Sequence, residues 1–201
     1  MVVRVAGAWN HNVHYHPVLL SALPDECETA LDVGCGDGAL ARVLATRVSS
    51  VTGIDISGKM IDRARKLSLG VTNLAYVHGD ALSYPLEGPY DFVSAVASLH
   101  HMDLRAAFER MKQLVRPGGV VAVVGLAKAR TPLDLALEAI AIPTSCAYRL
   151  RRPWTEPGAP LADPTMSYGQ IRQVAAADLP GVRFRRRLLF RYSLIWQKPP
   201  G

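Results

Sequence analysis

Cysteine is scarce and scattered. Cys27, Cys35 and Cys146 are the only three in 201 residues, and no two form a CxxC pair. That spacing gives no disulfide framework, and a reducing, cytoplasmic setting is the expected one. Long apolar runs are missing as well. No stretch approaches the roughly 20 residues that a membrane span needs. The opening "MVVRVAGAWNH" has one arginine and no apolar run of leader length, so no export signal is expected. Internal repeats are absent from the sequence. Acidic residues are the minority charge: 23 Lys and Arg against 17 Asp and Glu give a net charge of +6. The excess is local. Arg149, Arg151 and Arg152 form one cluster, and Arg183, Arg185, Arg186, Arg187 and Arg191 form another. Both read first as solvated strand and loop faces, and second as a surface for RNA or an acidic ligand.

What is present is a core. The chain is 49% hydrophobic, enough for one full domain over 1–201 and too short for two. Its middle alternates between two periods. "TALDVG", "VTGIDI", "LAYVHGD", "YDFVSAVAS" and "VVAVVGLA" read as short buried strands. Between them run helical patterns: Leu40, Val43, Leu44 and Val48; then Met60, Ile61, Ala64 and Leu67 behind a Ser57 cap; then Leu104, Phe108, Met111 and Val115 behind Asp103. The last of these stops at "RPGG", a Pro-Gly turn. Such alternation implies a doubly wound, Rossmann-like α/β fold: a mostly parallel sheet with helices on both faces. "VRFRRRLLF" and "RYSLIWQKP" follow as two strands with a link too short for a crossover. They should therefore be antiparallel and bring the sheet to seven strands, closed by an antiparallel C-terminal strand.

Two segments stand outside this rhythm. Residues 1–27 hold "WNHNVHYHP", with three of the six histidines. Residues 127–165 hold a helix, "PLDLALEAIAI", apolar on nearly every side, and then a loop with Pro153, Pro157, Pro160 and Pro164. A helix of that kind is buried, covers a pocket or meets a partner. Residues 132–142 are thus a candidate homodimer face as well as a candidate lid. Ser167 is a candidate cap for the helix that follows.

The chemistry-bearing motifs sit where strands end. "LDVGCGDG", Leu31 to Gly38, is a glycine-rich strand-to-helix turn that lets backbone approach a ligand. By itself it fits a dinucleotide-binding enzyme equally well. Asp55 ends the next strand, where a carboxylate can accept both hydroxyls of a ribose. Asp80, in "HGDA", can accept from an adenine amino group, with the Ala81 N–H beside it.

"LDVGCGDG", "GIDIS", "HGDA", "YDFVSAVASLHHM" and "LVRPGGVVAVV", in this order, resemble the class I S-adenosylmethionine-dependent methyltransferases. The resemblance covers roughly residues 28–126, and the terminal antiparallel strands extend it. It implies S-adenosylmethionine as cofactor and S-adenosylhomocysteine as product. Gly34 and Gly36, with Cys35 between them, would line the methionine end, the Cys35 thiol only packing. Asp32 would orient the amino group, Asp55 would hold the ribose, and Ile56 and Met60 would lie on the adenine. Asp80 and Ala81 would read its edge, and Ala97 would offer backbone near the amine. Core packing is the competing reading for Ile56 and Met60.

His100 and His101 follow the fourth strand, where an open α/β sheet puts its site. A histidine of near-neutral pKa is a candidate general base for an acceptor hydroxyl, with at most one of these neighbours facing it. The competing reading is that both only fix the loop. The resemblance also makes the N-terminal segment a lid over cofactor and acceptor, with Tyr15 and Trp9 as flat apolar surface and His14 and His16 as polar contacts. A metal site there needs three or four convergent ligands, and no nearby carboxylate or thiol completes a set, so no metal is expected.

What is missing narrows the acceptor. The fourth strand is not followed by an Asn/Asp-Pro-Pro-aromatic tetrapeptide, which counts against adenine N6 or a glutamine amide. No Pro-Cys pair is placed to attack a pyrimidine. The leading expectation is methyl transfer to a small molecule, with O-methylation ahead of N- or C-methylation. An RNA methyltransferase using the arginine clusters, a nicotinamide-dependent oxidoreductase and a non-catalytic S-adenosylmethionine-binding protein are the alternatives.

Overall fold

A computed structural model describes residues 9–151, 154–155 and 162–201. Arg152, Pro153, Pro157, Pro160 and the first eight residues of the expected lid lie outside the described residues. Among these residues seven strands form one sheet in the order β3-β2-β1-β4-β5-β7-β6. They are β1 (Thr29–Val33), β2 (Ser50–Asp55), β3 (Leu74–His78), β4 (Tyr90–Val96), β5 (Val115–Gly125), β6 (Arg183–Arg187) and β7 (Arg191–Gln197). β1 to β5 pair in parallel, and β7 lies antiparallel between β5 and β6. This is the expected topology. The chain order reverses between β1 and β4, so a crevice opens beyond their C-terminal ends.

The helices are α1 (His11–His14), α2 (His16–Leu20), α3 (Ala39–Leu44), α4 (Gly58–Leu67), α5 (Leu104–Leu114), α6 (Pro132–Arg151) and α7 (Tyr168–Asp178). Their starts follow local chemistry. Ser57, Asp103 and Ser167 each cap a backbone N–H with a side-chain oxygen, and Ser167 with Gln170 completes a capping box. Two apolar clusters then hold the layers. Phe108, Met111, Ile171 and Leu179 pack on one face of the sheet; Leu19, Leu40, Leu44 and Trp9 pack on the other.

The structure differs from expectation in three places. α3 ends at Leu44, although Val48 stays buried. "RPGG" is not outside the sheet, because β5 already starts at Val115. Gly118, at φ +77°, donates to Lys198 O (2.9 Å) and stitches the turn into the sheet. α6 runs on to Arg151 with Pro143 inside it, and no helix among the described residues is long and apolar enough to cross a membrane.

Candidate active site

The crevice is built first from backbone. Gly34 N and Cys35 N both donate to Ile54 O (2.8 and 3.0 Å), which ties the turn after β1 to β2. Gly34 and Gly36 have φ of +67° and +54°. A Cβ on Gly34 would stand 2.3 Å from Ser98 Cβ, so the turn after β4 leaves room only for glycine. Around Gly36 nothing lies within 4 Å of such a Cβ. Bare backbone therefore faces open space, as a cradle for a ligand must.

Asp55 bridges this loop to α4. Its Oδ2 accepts from Gly36 N and its Oδ1 from Ser57 N, both at 2.8 Å, so the carboxylate is already oriented. Ile56 beside it is an apolar side chain 74% exposed, whereas Met60 is buried, which favours core packing for Met60. Asp80 accepts from Leu82 N (3.0 Å) and Ser83 Oγ (3.1 Å), a local turn that fixes it beyond β3. Ala81 is buried, its carbonyl 3.4 Å from Arg110 Nε.

Asp32 is almost wholly buried and accepts from Ser94 Oγ (3.0 Å). Burial, and after it the Asp55 charge, pushes its pKa up to about 7, against the pull of that hydrogen bond. Burial also pushes the Cys35 thiol up, so it is no nucleophile at neutral pH. Ala97 has φ +51° although it is not glycine, a conformation that costs about 1–3 kcal/mol and collects at functional sites. Its N–H is held by Val124 O at 2.8 Å, and Ser98 Oγ donates to Val33 O at 2.8 Å.

His100 and His101 form a single turn, Leu99–His101, with ring centroids 4.1 Å apart. The two rings are tilted by 39° to each other, and only His100 borders the adjoining cleft. The near-neutral pKa is corrected. Burial, then His101 and Arg191, lowers His100 to about 4. Among the described residues His100 Nδ1 is buried with no hydrogen-bond partner, while His101 is exposed. Beside His100 lies a small cleft of about 30 Å³ that also touches Leu99, Met102, Leu126, Met166 and Tyr192.

The N-terminal residues pack against α6 and the terminal hairpin. Trp9 is buried, stacked on Tyr148 of α6 at 5.0 Å and edge-on to His14 at 6.0 Å. Its strand-like bridge to Trp154 closes the same cluster. Tyr15 donates its hydroxyl to Leu188 O (2.5 Å), so its polar end is engaged by the β6–β7 turn. His16 is buried, and burial, then Arg42, lowers it to about 4. These aromatics therefore pin the first segment to α6 and to the terminal hairpin, because flat rings find each other once both are removed from water. Among the described residues no group of three His, Cys, Asp or Glu could hold a metal.

The second arginine cluster is a solvated face only in part: Arg183 and Arg185 are exposed, and the other three turn inward. Arg186 is paired with Asp134, Arg187 Nε donates to Ser193 Oγ (2.8 Å), and Arg191 is buried. Arg149 lies over the Trp154 ring at 4.0 Å. Sequence reasoning named Arg191 only within a surface cluster and did not single out Tyr168 or Ser98. Only Ser98 had a local signal, its place after β4; nothing in "RRRLLFRY" separates a buried arginine from an exposed one.

The geometry agrees with the comparisons. A family model described as a methyltransferase domain matches residues 30–119. An uncharacterized methyltransferase of Mycobacterium tuberculosis is 34% identical over 194 residues, 95% of this chain and 98% of that one. A demethylmenaquinone methyltransferase of Staphylococcus aureus is 33% identical over 109 residues, 52% of this chain and 45% of that enzyme. The N-methyltransferase NodS of Bradyrhizobium japonicum, solved with S-adenosyl-L-homocysteine, superposes with a TM-score of 0.62 at 16% identity, over 92% of this chain and 86% of that one. With a relative matched along nearly its whole length and a glycine cradle open beside an oriented Asp55, this chain belongs to the class I S-adenosylmethionine-dependent methyltransferases and takes S-adenosylmethionine as its cofactor.

Proposed function

We propose that the enzyme transfers a methyl group to a small-molecule acceptor, with an oxygen nucleophile favoured, in the cleft beside His100. The observation that carries this reading is the unpartnered, buried His100 Nδ1 at the edge of that cleft, at the end of β4. Bound S-adenosylmethionine supplies an already activated methyl group. The chain's own residues bind and orient. Gly34, Gly36 and the Ala97 backbone receive the methionine end, with Asp32 behind it; Asp55 takes the ribose; Ile56, Asp80 and Ala81 enclose the adenine. The exposure of Ile56 supports its part, since a flat ring would cover it.

At neutral pH His100 is uncharged, as a base must be, but a pKa of about 4 makes it a weak one. It suits an acceptor whose hydroxyl is already acidic, such as a phenol or enol. The apolar wall of Leu99, Met102, Leu126 and Met166 suits an apolar acceptor body and keeps water from the reacting atoms. The Staphylococcus relative, named for a small organic acceptor, is compatible with this class, and it matches only about half of the chain. The RNA reading keeps only part of its surface: Arg186, Arg187 and Arg191 are engaged within the fold, while Arg149, Arg151, Arg183 and Arg185 stay exposed.

Residues 9–27 and the insertion over 127–165 serve as the acceptor-side wall and its variable cover within one domain. Leu133, Leu135, Ile140 and Ile142 of α6 are each more than half exposed, the surface through which a second copy would dock. The test begins with the cofactor. S-adenosylhomocysteine should raise the melting temperature of the wild type by mass action, NADP should not, and Asp55→Ala should lose most of the effect. Labelled methyl transfer to a panel of phenols, enols and amines then reads the acceptor. No transfer to any of them, with cofactor binding intact, would favour the non-catalytic alternative.

A further inference from the structure

Arg191 is a buried arginine, 8% exposed, that meets no carboxylate among the described residues. It opens β7. Since Tyr192 pairs with Gly125 at the C-terminal end of β5, Arg191 lies just past that end. That is the edge of the sheet that carries the glycine turn and His100. All its hydrogen bonds go to neutral oxygens. Nε and Nη2 donate to Asn12 Oδ1 (3.2 and 2.8 Å), and Nη1 donates to Leu189 O and Phe190 O (3.4 and 3.3 Å).

The donors are occupied, but no carboxylate among the described residues neutralises the charge. If the side chain only pinned Asn12 to the hairpin, a neutral donor would do so without the desolvation penalty of a buried cation. The turn that presents the two carbonyls is itself strained. Leu189 and Phe190 are consecutive non-glycine residues with φ of +54° and +62°. Strain of this kind persists where the surroundings enforce it, and it collects at functional sites.

Two more groups point the same way. Among the described residues His100 Nδ1 and Tyr168 Oη are both buried without a hydrogen-bond partner. The Arg191 charge bears on both, depressing the His100 pKa and pulling that of Tyr168 down against the burial that raises it. His100 lines the cleft, and so do Tyr192, which follows Arg191, and Ile171, one helical turn from Tyr168. A cation that no described carboxylate neutralises and two idle polar atoms around this cleft fit an absent anion.

We propose that Arg191, Tyr168 Oη and His100 Nδ1 form a subsite for an anionic oxygen of the acceptor. Its source is either a carboxylate held beside the methylated atom or the ionised hydroxyl that receives the methyl group. The inference rests on the acceptor-cleft reading above and deepens it. Tyr168 Oη donates to the oxygen. His100 Nδ1 donates once it holds the proton it takes from the acceptor, or in the neutral tautomer that carries it, and Arg191 supplies the field.

The test uses the full chain saturated with S-adenosylhomocysteine and two pairs of probes. Benzoate is compared with benzamide, and 4-nitrophenol is titrated below and above its own ionisation, with affinities read by calorimetry. The anionic member of at least one pair should bind about 10-fold tighter than its neutral partner, as a charge-assisted contact implies. A preference for benzoate assigns the carboxylate source, and a preference for nitrophenolate assigns the ionised hydroxyl. Tyr168→Phe removes only an idle hydroxyl. It should keep the melting temperature and cofactor affinity and cut the anion preference several-fold. Arg191→Gln should abolish the preference and Arg191→Lys should restore part of it. Failure of both anions to bind, equal binding of the anionic and neutral partners, or a preference that Tyr168→Phe leaves intact would each overturn the subsite. Failure of S-adenosylhomocysteine itself to bind would instead sink the reading of the cleft on which the subsite rests.

Discussion

Replacing His16 with glutamine should make the protein more resistant to acid. His16 is 7% exposed, and burial, then the Arg42 charge, lowers its pKa from 6.5 to about 4. The native state therefore keeps it neutral where the unfolded chain protonates it. Because the folded value is the depressed one, its cost is absent above 6.5 and grows as pH falls toward 4. At about 1.36 kcal/mol per pKa unit, the stability lost between about pH 7 and about pH 4.5 is about 2.5 kcal/mol. Asp32 works in the opposite direction. Burial raises it from 3.8 to about 7, so its protonated native form gains stability over the same fall in pH. That gain is about 3 kcal/mol by the same relation. The two nearly offset each other, and the wild-type profile conceals both. Urea unfolding midpoints at several pH values would expose them. Relative to wild type, His16→Gln should gain stability progressively below about pH 6.5, and Asp32→Asn should lose its relative advantage over the same range. A difference between wild type and His16→Gln that stays constant within about 0.5 kcal/mol from about pH 7 to about pH 4.5 would refute the burial argument.

Gly34→Ala should destabilise the fold by about 2–4 kcal/mol and abolish cofactor binding, because its Cβ would collide with Ser98 at a left-handed φ; thermal melts with and without S-adenosylhomocysteine read both effects. Asp134→Ala should cost about 3–5 kcal/mol by stranding the Arg186 guanidinium and removing the acceptor of Arg130 N and Thr131 N at the start of α6. Adding Arg186→Met should recover much of that loss, as a double-mutant cycle would show. Once an acceptor is in hand, His100→Ala should lower methyl transfer by about 10- to 100-fold, whereas His101→Ala, exposed and outside the cleft lining, should change it less than about twofold.

The sequence by itself determined the sheet and pointed to the strand-end residues proposed to hold the cofactor. Strand and helix periods differ, so β1 to β5 and their helices could be read from patterning, and Ser57, Asp103 and Ser167 marked helix starts through local capping. The glycine turn, Asp55 and Asp80 were legible for the same reason. Each acts within a few residues of a strand end, and the order of strands brings those ends together. What surrounds the proposed acceptor cleft was decided by tertiary structure alone. Trp9 meets Tyr148 across about two thirds of the chain, Arg186 finds Asp134 through the fold, and Arg191 is buried by Asn12 and a strained turn. The pKa values of His16, His100 and Asp32 likewise depend on who surrounds them. Burial and charge pairing between distant segments are properties of packing, and no local pattern encodes them.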